Sequence, residues 1–285
     1  MVDVRLHDDL DTFAALTRPL LEADPIRNSI ALMVLQLLMR VPEISDGPPV
    51  LLTVSRGDAP AGVLVCTPPR EAIVSGLPAD CADAAAEVLA YTHPRLPGAV
   101  GPRHEAEMFA KSWSERTGAL VRERIAQRAF TLHRLIQPTG VPGVARRAGN
   151  RDIELLARWR TNFANEATGG LRGHNSSRQQ VINSLEAGNA ALLWEVDGQP
   201  VAWASATAPI AAMSRIGPVY TLPPHRGHGY GSAVTAAATS WSLENGTKHV
   251  ILHTDLSNPI SNAIYPRIGF RPIYDAAEIA FTPVT

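Results

Sequence analysis

The sequence predicts an α/β fold with mixed sheets, laid out twice along one chain. Compact apolar runs of strand length alternate with longer segments of helical periodicity. An Asp197-Gly198 pair stands between two apolar runs, which is the strongest short-range hairpin signal a sequence offers. The order strand, turn, strand, strand, helix, helix, strand that starts at Val50 returns from Ala190 onward with little residue identity, so the chain reads as a degenerate internal repeat.

In the first half, the most apolar stretch is Ser29 to Met39. It contains Gln36 and is too short to span a bilayer, so it is expected as a helix packed in the core or at a subunit contact. Val50 to Val54, the Gly57-Asp58 turn, Gly62 to Cys66 and Ala72 to Ser75 give strand, turn, strand, strand. Pro78 to Tyr91 and Glu105 to Thr117 are helical, and Ala119 to Leu132 is strand-like. Breakers crowd Gln137 to Gly143, which places the division between residues 1–136 and 144–285.

In the second half, Val144 to Ala148 is a strand, and Asn150-Arg151-Asp152 opens a helix with Ile153, Leu156, Ala157 and Trp159 on its apolar stripe. A further helix covers Ser177 to Ala187. The hairpin strands are Ala190 to Val196 and Pro200 to Thr207, and Ser214 to Leu222 is the next strand. A helix from Gly231 to Asn245 is closed by Gly246. His249 to Thr254 is a strand, and a last helix starts at Asn258-Pro259, with a kink expected at Pro266, and ends at Gly269.

The bulk numbers restrict the function. Hydrophobic residues make up 45% of 285 residues and charged ones 19%, enough to bury a real core. A net charge of −1 offers no basic excess for a phosphate backbone, so nucleic acid is not an expected partner. Two cysteines, Cys66 and Cys81, without a CxxC or Cys/His cluster, argue against a disulfide framework or a zinc site. The opening residues lack the apolar core of a signal peptide. A cytoplasmic protein without a membrane partner, and with a homodimer possible, is the resulting expectation.

The chemistry concentrates in Pro223-Pro224-His225-Arg226-Gly227-His228-Gly229-Tyr230-Gly231-Ser232-Ala233, between a strand and a helix of small residues. Glycines there let backbone N–H groups approach a ligand, and the helix N-terminus adds donors and partial positive charge. Together these make an anion site suited to a pyrophosphate. A P-loop would need Lys-Ser or Lys-Thr after the last glycine, and none is present. The dinucleotide pattern GxGxxG fails because its sixth position is Ser232 or Val234. The pattern that fits is Arg-x-x-Gly-x-Gly, met by Arg226, Gly229 and Gly231. A run from Asn258 through Tyr265 to Gly269-Phe270 follows downstream.

On these residues, about Val144 to Phe281 resembles the GNAT (GCN5-related) N-acetyltransferase superfamily. The resemblance implies a GNAT acyl-CoA N-acyltransferase fold, preceded by a degenerate GNAT-like half, and acetyl-CoA as co-substrate. In such proteins pantetheine lies where two parallel strands splay apart. Val219, Tyr220 and Thr221 would then offer it backbone groups. Arg226, Gly227, His228, Gly229, Tyr230, Gly231 and Ser232 would cradle the pyrophosphate through main-chain N–H groups, and Asn258 would reach the pantetheine arm. Asn258 before Pro259 is equally a helix cap. Tyr265 stands where the superfamily's general acid usually sits, with packing as its other reading.

The expected reaction is direct attack of a primary amine, on a small molecule or peptide, upon the acetyl thioester. Glu195, Glu166, Asp255 and His253 all stand open as the base. The acceptor would be set by loops such as residues 164–176, where Glu166 and Arg172 could meet a charged group. A non-catalytic acyl-CoA-binding or regulatory module is the alternative function. In the N-terminal half, Gly76-Leu77-Pro78-Ala79-Asp80-Cys81-Ala82-Asp83 stands where a glycine loop would fall. It has one glycine and no arginine. Asp80 could cap the helix, and with Asp83 it would repel a pyrophosphate.

Overall fold

The computed structural model describes residues 2–167, 170 and 176–284. The chain forms two compact units that are discontinuous in sequence. One comprises Met1–Arg128, Asp255–Ser257 and Tyr274–Thr285, and the other Ala129–Thr254 and Asn258–Ile273. Residues 129–136 therefore fall in the second unit, and 274–285 in the first.

The first ten elements are β1 (Val2–His7), α1 (Leu10–Ala23), α2 (Ser29–Arg40), β2 (Val50–Arg56), β3 (Ala59–Cys66), β4 (Ala72–Ser75), α3 (Ala82–Thr92), β5 (Gly98–Pro102), α4 (Arg103–Thr117) and β6 (Leu120–Leu132). The next ten repeat that order: β7 (Val144–Arg147), α5 (Ile153–Ala167), α6 (Ser177–Glu186), β8 (Ala190–Val196), β9 (Gln199–Ala206), β10 (Met213–Thr221), α7 (Tyr230–Glu244), β11 (His249–Asp255), α8 (Pro259–Arg267) and β12 (Phe270–Thr282). The expected repeat is thus present element for element. In both copies the second and third strands form a hairpin, the third and fourth are antiparallel neighbours, and the fourth and fifth pair in parallel, β4 with β5 and β10 with β11.

The core of the N-terminal unit lies between its sheet and α3 and α4. Ala85, Ala86 and Leu89 of α3 and Phe109 and Trp113 of α4 pack against Leu52, Val54 and Leu64. Trp113 stacks on Phe281 with ring centroids 5.5 Å apart. The apolar stretch from Ser29 is α2, whose Ala31, Leu32, Leu35 and Leu38 are buried, as a core helix requires.

In the C-terminal unit, alternation along each strand divides the side chains between two layers. Ala190 and Leu192 of β8 point to the face covered by α7 and α8, with Val234, Ala238 and Ile268. Ala191 and Leu193 point to the face of α5 and α6, with Leu156, Trp159 and Val181. The Asp197-Gly198 turn has φ of 49° and 74°, both left-handed as a two-residue hairpin turn demands.

Pro266 produces an ending rather than a kink. α8 stops one residue later, and Gly269 at φ 98° turns the chain into β12. A Cβ at Gly269 would overlap the carbonyl oxygen of Arg134, whose neighbour His133 donates its N–H to Gly269 O at 3.0 Å. The backbone conformation and the close approach both call for glycine. Gly269→Ala is expected to lower stability by about 2–3 kcal/mol, the cost of one strained left-handed residue with a displaced neighbour. Urea unfolding checks this, and a wild-type midpoint would refute it.

Candidate functional site

The geometry of the C-terminal unit is set by the way β10 leaves β11. The two strands pair in parallel only from Met213↔His249 to Ile216↔Leu252. β10 continues along β9 through Val219↔Ala204, Tyr220↔Trp203 and Thr221↔Ala202, after a register shift between Ile216 and Val219. Gly217 at φ 141° and Pro218, which has no N–H to give to a neighbouring strand, make that shift. Beyond it, Leu222 N–H donates to Val201 O at 3.1 Å. Alternate residues of a strand share a hydrogen-bonding direction, so Tyr220 also faces β9. Val219 and Thr221 then present their main-chain groups on the other side, where β11 has parted from the strand.

A single turn, Pro223–His225, carries the chain into the glycine loop. Gly227 and Gly229 adopt φ of 84° and 82°, and Gly229 is the N-cap of α7. Such positive φ favours glycine, and it turns successive N–H groups toward one side. The first bond that ties the loop into α7 runs from Ala233 N–H to Gly229 O at 3.0 Å, and an α-helix leaves the N–H groups ahead of that point without intrahelical partners. A Cβ at Gly231 would lie 3.3 Å from Thr221 Oγ1, so this glycine lets the helix start against the end of β10. His228 Nδ1 lies 2.9 Å from Arg226 O and 3.3 Å from His225 O, and must donate because carbonyls only accept. Its ring stacks on Tyr230 at 5.5 Å.

Arg226 is fixed through three contacts. Its Nε donates to Thr221 O at 3.1 Å, its Nη2 meets Glu166 Oε2 at 2.6 Å, and its guanidinium lies 5.7 Å from the centre of the Tyr220 ring. Tyr220 hydroxyl donates to Glu166 Oε1 at 3.3 Å, and burial and the Glu166 charge push its pKa up. The side chain of Arg226 thus ties the loop to β10 and α5, leaving the main chain to face an anion. The Glu166 link was missed in the sequence. Its one signal there is an acid near the end of α5, a residue whose sequence neighbours suit a base or an acceptor contact equally well.

Tyr265 lies on α8 in the cluster that also receives the Val219 side chain. It is 6% exposed, its ring 6.0 Å from that of Phe130 and 6.3 Å from that of Phe270. Burial pushes its pKa up to about 12, against a hydrogen bond with the Ser261 side chain. Ser261 stands four residues earlier on the same helix face, a spacing visible in the sequence. Asn258 does cap α8: its Oδ1 accepts from Ser261 N–H at 3.0 Å, with Pro259 in the first turn.

The other acids considered for base chemistry have partners. Glu195 Oε1 meets Arg146 Nε at 2.6 Å, and the same guanidinium grips Asp152 with two bonds of 2.8 Å, tying β7 to β8 and to the start of α5. Asp255 accepts from Ser257 N–H at 2.7 Å and belongs to the N-terminal unit. His253 follows the last β10–β11 pair, and burial, with Arg215 adding to it, holds its pKa well below the usual imidazole range. Arg172 lies outside the described residues. Among the described residues no group of three His, Cys, Asp or Glu side chains could hold a metal, and no helix is long and apolar enough to cross a membrane. Cys66 and Cys81 are buried and unpaired with each other, and burial pushes the Cys66 thiol up to about 12.

In the N-terminal unit, Gly76 at φ 69° ends β4, and one turn, Ala79–Cys81, precedes α3. Asp80 does not cap the helix. It pairs with Arg56, while Asp83 pairs with Arg116 at 2.6 Å.

Residues 157–270 match the model of the acetyltransferase (GNAT) family. The C-terminal unit therefore holds a domain of the GNAT acetyltransferase family. A tandem GNAT protein from the clavulanic acid biosynthesis pathway is 16% identical, with a TM-score of 0.61 over 99% of this chain and 98% of its own. A GCN5-related N-acetyltransferase from Sphaerobacter thermophilus is 16% identical, with a TM-score of 0.60 over 99% and 95%. Another, from Kribbella flavida, is 19% identical, with a TM-score of 0.58 over 77% and 86%. At such identities the likeness defines the fold, which is that of a tandem GNAT protein with a degenerate N-terminal half. None of the curated proteins matches the chain.

The buried phenol has a measurable signature. Tyr265 holds its proton in the folded protein up to about pH 12, whereas an unfolded tyrosine releases it near 10. Its contribution to stability is therefore complete below pH ~10 and is lost as pH rises toward 12, by about 2–3 kcal/mol. Ultraviolet titration is expected to show a late component that Tyr265→Phe removes; an unchanged curve in the variant would contradict the burial.

Proposed function

We propose that the C-terminal unit binds acetyl-CoA and transfers its acetyl group directly to a primary amine on a small molecule or peptide. The observation that carries this reading is the parting of β10 from β11 directly ahead of a glycine loop that opens α7. The parted strand end suits an extended amide-bearing arm, which needs backbone partners along one edge. The loop suits a pyrophosphate, which needs N–H groups without side chains in the way. Gly227, Gly229 and Gly231 leave that space clear, so the residues present fit the coenzyme.

In this reading the main chain from Arg226 to Ser232 holds the pyrophosphate. The outward groups of Val219 and Thr221, with Tyr220 fixing the strand between them, take the pantetheine amides, and Asn258 reaches the same arm while capping α8. The coenzyme supplies an acetyl thioester, whose carbonyl carbon is attacked by the amine nitrogen. Val219 N–H faces the gap and is the donor for the negative charge that develops on the carbonyl oxygen, a contact typically worth about 3 kcal/mol. As the carbon–sulfur bond breaks, Tyr265 hydroxyl donates its proton to the departing sulfur, and the proton that the amine nitrogen gives up on becoming an amide restores the phenol by way of solvent. Like any tyrosine, that phenol is protonated at neutral pH, so it enters the reaction as a donor.

Gly229→Glu is expected to abolish acetyl-CoA binding in a folded protein. The new side chain would fill the cradle from a strained φ of 82° and press on Val141, 3.0 Å from the added Cβ. Calorimetry with acetyl-CoA is the check, and an unchanged affinity would refute the site. Tyr265→Phe should keep coenzyme affinity and slow single-turnover acetyl transfer by about 10²–10⁴-fold. A variant as fast as wild type would reduce Tyr265 to packing. Coenzyme binding without thiol release across free amines, amino acids, polyamines and aminoglycosides would favour a non-catalytic acyl-CoA-binding module.

A further inference from the structure

A side chain stands at the mouth of the gap that β11 leaves beside β10. Thr221 is the last residue of β10, and its main chain faces that gap. Its side chain lies against the start of α7, where a Cβ at Gly231 would stand 3.3 Å from Thr221 Oγ1. The Thr221 carbonyl is therefore placed where the parted strand meets the glycine loop. That carbonyl has a donor from its own chain. After the turn Pro223–His225 the Arg226 side chain reaches back, and its Nε donates to Thr221 O at 3.1 Å.

The guanidinium is held there from a second side. Its Nη2 meets Glu166 Oε2, in the last turn of α5, at 2.6 Å. Glu166 is itself steadied, because its Oε1 accepts from the Tyr220 hydroxyl at 3.3 Å and Tyr220 is only 4% exposed. The Tyr220 ring packs 6.1 Å from that of Trp159 on the same helix. One end of the pair is thus anchored to the core, while the other is a long side chain, 48% exposed. An exposed ion pair of this kind is weak, so it can yield to a ligand that brings its own donor to the carbonyl.

We propose that Arg226 is a latch across the coenzyme cleft: Glu166 keeps its guanidinium on the Thr221 carbonyl, and the pantetheine arm displaces it to use that carbonyl. Glu166 is then a positioning residue that acts through Arg226, and the closed latch lowers the apparent affinity for coenzyme by the fraction of chains in which it is open. This rests on the coenzyme reading of the C-terminal unit and adds a step to it.

Calorimetry with coenzyme A on full-length wild type, Glu166→Gln, Arg226→Met and the double variant makes a double-mutant cycle. Glu166→Gln keeps an oxygen for the Tyr220 hydroxyl but loses the charge that holds Arg226. It should tighten coenzyme A binding by about two- to fivefold, the span of one exposed ion pair. That gain should vanish in the Arg226→Met background, where no guanidinium is left to release. Weaker or unchanged binding in Glu166→Gln would overturn the latch. An equal gain in both backgrounds would overturn it too, since simple relief of charge repulsion does not need Arg226. So would loss of binding in Arg226→Met, because a latch is dispensable once open. These three outcomes leave the coenzyme reading standing, whereas a wild type that binds no coenzyme A would overturn that reading and the latch with it.

Discussion

Everything proposed for the C-terminal unit depends on a backbone group that is missing. Pro218 has no N–H, and Gly217 takes a φ of 141°, so the β10 ladder breaks there. The strand keeps its hold on β9 and lets go of β11 after four paired residues. Val219 and Thr221 are left with main-chain groups facing a gap, and the glycine loop begins where that gap ends. The cleft costs no buried cavity, because it is cut from the sheet itself. What holds it open is the packing on either side, with Tyr220 fixed by Trp159, Glu166 and Arg226, and Val219 set in the layer of α7 and α8.

Much of this fold was legible because its strongest signals are local. The Asp197-Gly198 hairpin, the strand Ala190–Val196 and the strand Ala72–Ser75 fall where apolar runs and turn chemistry place them. β5 carried no such signal. Its sequence, Gly-Ala-Val-Gly-Pro, reads as a loop, yet a Cβ at Gly98 would overlap Ile279 O and one at Gly101 would overlap Val74 O. Those glycines serve close strand contact, which depends on residues far away in the chain. α1 was hidden for a related reason, since Pro19 lies inside it and reads as a breaker.

The site divides in the same manner. The glycine loop, the cap at Asn258 and the tyrosine of α8 are readable from spacing. The ion pair of Arg226 with Glu166 joins residues 60 positions apart, and that of Arg27 with Glu105 joins residues 78 apart. No window of sequence holds both members of either pair. Charge alone was also a poor guide to role: Asp80 and Asp83, which stand where a glycine loop would fall, are occupied by Arg56 and Arg116.

The two hairpins share an irregularity. β2 and β3 slip register between Val54 and Ser55, bringing Ser55 opposite Pro60; β8 and β9 slip between Trp194 and Glu195, bringing Glu195 opposite Pro200. The turns between them differ in sequence order, and the flanking side chains have little in common. A slip of this kind resists gradual loss, because undoing it would move every later side chain of the strand to the opposite face. The kink therefore gives the two halves a shared landmark, the position from which one copy is laid on the other, residue against residue, where the letters themselves agree little.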